Sequence, residues 1–283
     1  MPAPAAAPRG AAVAVGYDGS ESSQLAVRWA AEHAAARGLP LRVVHAWVWP
    51  MFTKDLGPVK GVAGSGLRHS AENILAEGVG LAHGVDPGLA VEGVMEAGLP
   101  AQVLRQAAAG ASLLVVGSRG MGGVLGHLAG SVCLELAGAA PCPLMVVRRP
   151  HLPGRPVVVG VDAAARSSAV LADAARLAAA VGAELQLVHV DPDHGEDRGE
   201  HGRHAPLRGS ELLEHSLAEA GRLAPGLAVS GTLKEGRTAA KELAEAADEA
   251  DVLVLGTHNR SGGIGNTVSA VLHKAACNVM ITR

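Results

Sequence analysis

Glycine is concentrated in one stretch of the chain, VVGSRGMGGVLGHLAGS, which runs from Val115 to Ser131. A short apolar run leads into Gly117, more glycines follow, and helix-like sequence begins at Gly130-Ser131. Glycine lets backbone N–H groups turn towards an anion, and a helix start adds free N–H groups and a favourable dipole. Arg119 can add a bidentate contact to a phosphate. The stretch therefore favours phosphate binding, and the alternative is chance, since the chain has 37 glycines.

The glycine-rich stretch matches neither of two common nucleotide-binding motifs. No Gly-Lys-Ser/Thr closes it, so it has no lysine that reaches the β- and γ-phosphates as in a P-loop. Its first residues, Gly117-Ser118-Arg119-Gly120, read G-x-x-G instead of the dinucleotide pattern G-x-G-x-x-G. Asp18 follows the first apolar run, and an ionised carboxylate, which only accepts hydrogen bonds, suits a ribose hydroxyl or an adenine amino group.

The elements that position these residues alternate between strand and helix. Apolar runs that alternate with helical periodicity predict a parallel sheet covered on both faces, with right-handed crossovers. Ligands of such sheets lie outside the carboxyl ends of the strands. We therefore expect Asp18, Ala46 and the glycine-rich stretch on one rim, although the strand order stays open. The predicted strands of the first half are 11–17, 41–48, 89–95, 112–117 and 144–148, and the predicted helices are 20–37, 70–83, 100–109 and 131–139.

The chain repeats this pattern once. Asp18 and His45 recur at constant spacing as Asp162 and His189, and the ending APCPLMVVR recurs as AACNVMITR. The segment RPHLPGRP between the copies reads as a linker. The sequence thus predicts a disordered tail over 1–10 and two domains, 11–150 and 151–283. The expected fold class is α/β, with two tandem doubly wound domains, each a mostly parallel five-stranded sheet with helices on both faces.

Composition excludes several classes of protein. The 283 residues are 48% hydrophobic but only 2% aromatic, which leaves few stacking platforms for nucleic-acid bases. A net charge of −3 argues against a broad nucleic-acid face. The chain has three cysteines, Cys133, Cys142 and Cys277. This small, odd number does not indicate a disulfide framework, and we interpret them as small buried hydrophobic residues. With no apolar run of membrane-spanning length and no signal peptide pattern, we expect a cytoplasmic protein without nucleic-acid or membrane partners.

Several motifs together resemble those of the universal stress protein family. Gly117-x-x-Gly120, nine further residues and Gly130-Ser131 are similar to its ATP-binding signature. AVAVGYDGSESS, LRVVHAW and APCPLMVVR resemble its opening, second and closing strands. The resemblance covers nearly the whole chain, as a tandem two-domain member. It implies ATP binding with Mg²⁺ on the phosphates, a regulatory role under stress without strong catalysis, and a homodimer or larger homo-oligomer that pairs fifth-strand edges.

The resemblance also assigns nucleotide contacts to particular residues. Asp18 and Ala46 fall on the adenosine side. The residues beside the ribose and phosphates are Val116, Gly117 and Gly120, and those at the phosphates and helix start are Gly130, Ser131 and Val132.

The second copy departs from the pattern on its phosphate side. Asp162 and Val190 keep the adenosine side, and Gly256 remains, but Asn259 replaces the second glycine and the loop is four residues shorter. Gly265 and Asn266 stand opposite Gly130 and Ser131, with Asn266 expected as the helix N-cap. We therefore expect a weakened or lost second site.

Two other functions remain open from the sequence. A slow ATPase or nucleotide-transferring enzyme needs a base, and only Arg119 and His127 are expected near the phosphates. An interaction scaffold with empty sites is the third reading. His45 and His189 each end a core strand and are interpreted as hydrogen-bonded structural histidines. The histidines within 191–206 are interpreted as part of a solvated loop, with a metal site as the alternative.

Overall fold

The computed structural model describes residues 12–47, 66–120, 129–163, 167–192, 209–236, 238–257 and 264–282. The chain divides into two compact units, Met1–Pro150 and His151–Arg283. Among the described residues, no helix combines the length and the apolar character that crossing a membrane requires.

The first unit is a parallel sheet of five strands in the order β3-β2-β1-β4-β5. Because β1 lies between β2 and β4, the crossovers leave it in opposite directions, which opens a crevice at the carboxyl ends of β1 and β4. The elements are β1 (Val13–Gly16), α1 (Glu21–Ala36), β2 (Leu41–Trp47), α2 (Gly66–Val85), β3 (Val91–Ala97), α3 (Pro100–Ala107), β4 (Leu113–Gly117), α4 (Ser131–Ala139) and β5 (Leu144–Val147).

The second unit repeats this topology, with a parallel sheet in the order β8-β7-β6-β9-β10. The α/β class and the two tandem domains with parallel strands that the sequence predicted are therefore confirmed. The elements are β6 (Val157–Val161), α5 (Ser167–Val181), β7 (Leu185–Pro192), α6 (Gly209–Leu223), β8 (Val229–Gly236), α7 (Ala239–Ala246), β9 (Val252–Gly256), α8 (Asn266–Lys274) and β10 (Asn278–Thr282).

The strand β1 shows why apolar runs form these sheets. Val13 to Val15 are fully buried, because successive side chains of a central strand enter the cores on both faces of the sheet. The next two residues, Gly16 and Tyr17, face α3 and α2 respectively. A Cβ atom added to Gly16 would lie 3.0 Å from Leu104 of α3. A Cβ atom added to Gly78 of α2 would lie 2.6 Å from the Tyr17 ring. Helices therefore cover both faces of this sheet.

The helix α1 begins as the sequence predicts. The Ser20 hydroxyl accepts a hydrogen bond from the backbone N–H of Ser23 at 3.2 Å, and so satisfies one free donor of the first turn. At the other end, Gly38 has a φ of +63°, a conformation that glycine adopts without strain. These two residues fix the length of the helix that follows β1.

Two glycines of α2 should respond in opposite ways to alanine. A Cβ atom at Gly80 would meet nothing within 4 Å, so Gly80→Ala should raise the free energy of unfolding by up to about 1 kcal/mol through helix propensity. A Cβ atom at Gly78 would lie 2.6 Å from Cδ1 of the buried Tyr17 ring, so Gly78→Ala should lower it by about 1–3 kcal/mol. Urea unfolding of both variants measures the difference; equal stabilities would show that the ring moves aside without cost.

Candidate functional site

A cavity of about 310 Å³ lies in the crevice of the first unit, at the carboxyl ends of β1 and β4 and beside the start of α4. It brings together residues that the sequence predicted from three distant segments. That these residues contact a nucleotide stays a prediction. All nine line the cavity: Asp18, Ala46, Val116, Gly117, Arg119, Gly120, Gly130, Ser131 and Val132.

Asp18 is held in place by the first turn of α1. Its Oδ1 accepts hydrogen bonds from the backbone N–H of Ser20 at 3.0 Å and from the Ser20 hydroxyl at 2.6 Å. Its own N–H donates to the Ser23 hydroxyl at 3.3 Å. These bonds fix a carboxylate at the rim of the cavity, as an acceptor with little freedom to turn away.

Gly120 makes room for that carboxylate. A Cβ atom on Gly120 would lie 2.8 Å from Oδ2 of Asp18, a distance at which one of the two groups must move. The requirement for glycine at this position therefore comes from the protein's own aspartate, before any ligand is considered.

Gly117 is confined by a different neighbour, the backbone of α1. A Cβ atom on Gly117 would lie 2.6 Å from the backbone carbonyl carbon and oxygen of Ser22, in the first turn of α1. The N–H of Arg119 donates to the Ser22 hydroxyl at 3.3 Å, so the chain after β4 stays docked on α1. The sequence predicted glycine here for the approach of a phosphate, but the group that approaches Gly117 is the α1 backbone.

The helix α4 begins at the cavity without a side-chain cap. Gly130 is its N-cap, with φ −67° and ψ 157°, and no side chain accepts a hydrogen bond from the first turn there. A Cβ atom on Gly130 would make only ordinary contact, 3.6 Å from the Ser118 carbonyl oxygen. Because Gly130, Ser131 and Val132 all line the cavity, the N–H groups and the positive end of the helix dipole offer a place for an anion.

Cys133 and Leu104 also line the cavity, although no sequence motif indicated either of them. The Cys133 thiol donates to the Gly117 carbonyl at 3.0 Å and so links α4 to the end of β4. Burial raises the pKa of this thiol to about 12, so it stays protonated and serves as a donor. Leu104 forms an apolar part of the wall, and its position one turn after Pro100, at the start of α3, is the sequence signal that could have revealed it.

The second unit has a cavity of about 460 Å³ at the equivalent place. The Ser167 hydroxyl lies 2.9 Å from Oδ1 of Asp162 and 2.6 Å from the Asp162 carbonyl oxygen, two acceptors that it can bond at the start of α5. All five residues predicted for the second site line this cavity: Asp162, Val190, Gly256, Gly265 and Asn266.

The prediction that Asn266 caps its helix is wrong. The N-cap of α8 is Gly265, with φ −68° and ψ 152°, and Asn266 is the first helical residue. The chain enters both α4 and α8 in the same extended conformation, so glycine precedes the helix in each domain and the polar residue follows it. Asn259, His127 and the histidines 194, 201 and 204 lie outside the described residues.

Charge distinguishes the two cavities. Among the described lining residues, the first cavity combines the carboxylate of Asp18 with the guanidinium of Arg119, whereas the second has the carboxylate of Asp162 and no cation. Within the described parts of both domains, no three His, Cys, Asp or Glu side chains come together as a metal would require. The first cavity is therefore the better suited of the two to an anionic ligand.

His45 and His189 are buried, as expected of structural histidines. Their side chains are 7% and 8% exposed, and each Nδ1 lies 2.9 Å from a backbone carbonyl oxygen, that of Tyr17 or of Val161. The prediction that they are hydrogen-bonded histidines of the core is confirmed.

Comparisons with known proteins point to one family over nearly the whole chain. The model of the universal stress protein family matches residues 12–148 and 154–283. Universal stress protein Rv2005c of Mycobacterium tuberculosis is 32% identical over 295 residues, which cover 96% of either chain. Among solved structures, a universal stress protein from Archaeoglobus fulgidus is 19% identical, with a TM-score of 0.73 over 96% of this chain and 98% of its own.

A second Archaeoglobus fulgidus structure, of a universal stress protein in complex with dAMP, is 24% identical and covers 47% of this chain and 100% of its own, with a TM-score of 0.37. Both halves of the chain match the family model, and the relative from Mycobacterium tuberculosis matches almost from end to end. The chain belongs to the universal stress protein family, as a member with two tandem domains.

Proposed function

We propose that the first domain binds ATP in the crevice between β1 and β4, and that the bound nucleotide serves the regulatory role under stress. The observation that carries the proposal is the composition of one cavity. A carboxylate fixed by hydrogen bonds, an arginine and the uncapped N-terminus of a nine-residue helix line it together. These are complementary to the hydroxyl and amino groups of adenosine and to the charge of phosphates.

Each part of ATP has a group suited to it. Asp18 accepts a hydrogen bond from a ribose hydroxyl or from the adenine amino group. The N–H groups at the start of α4, the Ser131 hydroxyl and Arg119 bind the phosphates. Mg²⁺ would take its ligands mainly from phosphate oxygens and water, since the described residues hold no cluster of three potential protein ligands.

Binding, and not group transfer, is the activity that this cavity supports. The Cys133 thiol is held protonated by burial and is no nucleophile. Oδ1 of Asp18 already accepts two hydrogen bonds from Ser20, which lowers its capacity as a general base.

In the second domain, the lack of a cation among the described lining residues supports weaker ATP binding. A homo-oligomer and a cytoplasmic location, both expected from the sequence, stay predictions.

The glycines before α4 and α8 provide a matched test. Alanine at either position is compatible with the backbone, since both residues have negative φ and their Cβ atoms would meet nothing closer than 3.6 Å. Gly130→Ala should therefore leave the melting temperature unchanged but weaken ATP binding about tenfold, because the methyl group crowds N–H groups that face the phosphates. Gly265→Ala should leave the tight site intact.

Calorimetric titration of the intact chain with ATP measures both variants. Parental affinity in Gly130→Ala would mean that phosphates do not approach the start of α4, and the proposed assignment would be wrong.

A further inference from the structure

A buried histidine stands beside each candidate site without lining it. His45 lies on β2, and its Nδ1 is 2.9 Å from the carbonyl oxygen of Tyr17, the residue before Asp18. His189 lies on β7, and its Nδ1 is 2.9 Å from the carbonyl oxygen of Val161, the residue before Asp162. A carbonyl oxygen only accepts, so Nδ1 carries the proton in both rings and donates it.

The hydrogen bond from His45 is made to the peptide group that joins Tyr17 to Asp18. The pairing of β1 with β2 ends at Gly16 and Val44, and the Tyr17–Asp18 peptide follows directly. Its carbonyl oxygen accepts from His45, and its N–H donates to the Ser23 hydroxyl at 3.3 Å. Side chains from two different elements therefore hold both polar groups of the peptide that carries the Asp18 carboxylate into the cavity.

The second domain repeats the histidine contact, but its serine bonds the aspartate through other atoms. His189 is 8% exposed, close to the 7% of His45, and it bonds the carbonyl at the last paired position of β6. Ser167, which corresponds to Ser23, places its hydroxyl within hydrogen-bond distance of the Asp162 carbonyl oxygen and Oδ1, whereas Ser23 accepts from the Asp18 N–H. Core packing alone would be satisfied by an apolar side chain. Here a hydrogen-bond donor recurs instead, and in each domain it bonds the carbonyl of the residue before the aspartate.

We propose that His45 and His189 are positioning residues, each of which fixes the aspartate of its domain through the preceding peptide group. The inference rests on the proposed function for its effect on ligands. Since His45 acts through Asp18, its contribution belongs to the adenosine side of the site and not to the phosphate side.

The test compares ATP with inorganic tripolyphosphate, which has no adenosine, on the intact chain. His45→Leu removes the donor at similar volume and should weaken ATP binding about fivefold, the equivalent of one hydrogen bond, while tripolyphosphate binding changes less than about twofold. His45→Asn, whose amide nitrogen can replace Nδ1, should restore ATP affinity to within about twofold of the parent. His189→Leu is the matched control and should leave the tight site unchanged. Equal losses for both ligands, or no rescue by asparagine, would overturn the proposal.

A second measurement needs no ligand. Amide hydrogen exchange at Asp18 should become faster in His45→Leu and return towards the parental rate in His45→Asn, because the Asp18 N–H bond to Ser23 depends on the same peptide. Unchanged exchange in both variants would overturn the positioning role. This holds even if the parent binds no ATP, because a lack of ATP binding would refute only the proposed function. If the leucine variant does not fold, His45→Gln, whose amide lies nearer the Nε2 position, takes its place.

Discussion

Replacement of Gly120 by valine is expected to weaken ATP binding by the first domain at least tenfold. A Cβ atom at this position would lie 2.8 Å from Oδ2 of Asp18, and the branched side chain of valine needs still more room. Either the carboxylate leaves the rim or the chain after β4 moves away from the site. In both cases one or two charge-assisted hydrogen bonds to the ligand are lost, at about 1.5–3 kcal/mol each. Calorimetric titration with ATP gives the loss directly.

A double-mutant cycle shows whether the loss passes through Asp18. In an Asp18→Ala background the clash is absent, so Gly120→Val should cost clearly less than in the parent. The same cost in both backgrounds would place the effect elsewhere in the loop. ATP binding by Gly120→Val at the parental level would contradict the assignment of Asp18 to the ligand. Melting temperatures recorded alongside separate loss of affinity from loss of fold.

Acid should destabilise the fold through His33. This side chain is 7% exposed, and its ring stacks on Trp29 with centroids 5.0 Å apart. Burial, with a smaller contribution from Arg37, lowers the pKa of His33 from 6.5 to about 4. Between these values the unfolded chain binds a proton that the folded chain does not, so the free energy of unfolding falls as the pH falls. The full effect is about 3 kcal/mol, reached near pH 4.

Urea unfolding at pH 7, 5.5 and 4 measures this loss in the parent and in two variants. His33→Leu should show a smaller loss on acidification, because it has no group to protonate at that position. His83→Gln replaces an exposed histidine in the last turn of α2 and should follow the parent. A loss in His33→Leu as large as the parent's would assign the acid sensitivity to other groups.

Much of the fold could be predicted from local sequence because its determinants are local. Continuous apolar runs predicted the parallel strands, Ser20 predicted the start of α1, and Pro100 predicted the start of α3. The structure places α4 at Ser131–Ala139, as predicted, since the helical pattern begins directly after Gly130. The boundaries of α2 differ: it begins at Gly66 and not at residue 70, because residues 68–70 are exposed and lie outside the apolar periodicity.

The reasons for individual glycines could not be predicted, because they depend on contacts distant in sequence. Gly117 is confined by the backbone of Ser22, and Gly120 by the carboxylate of Asp18, and both neighbours come from the other end of the domain. Local sequence shows that a side chain is missing but not which group occupies the space. The strand order, which decides that β1 and β4 are adjacent, is likewise a property of the folded chain. The error at Asn266 has a local cause, since asparagine is favoured at N-caps and yet Gly265 takes that position.

Calorimetric titration of the intact chain with ATP, repeated on Gly120→Val and on Asp162→Ala, tests directly whether the first domain holds the tight site. We expect one tight site per chain, lost in Gly120→Val and retained in Asp162→Ala. Two equal sites would contradict the distinction between the domains. A single site that survives Gly120→Val and disappears in Asp162→Ala would contradict the assignment of ATP to the first domain.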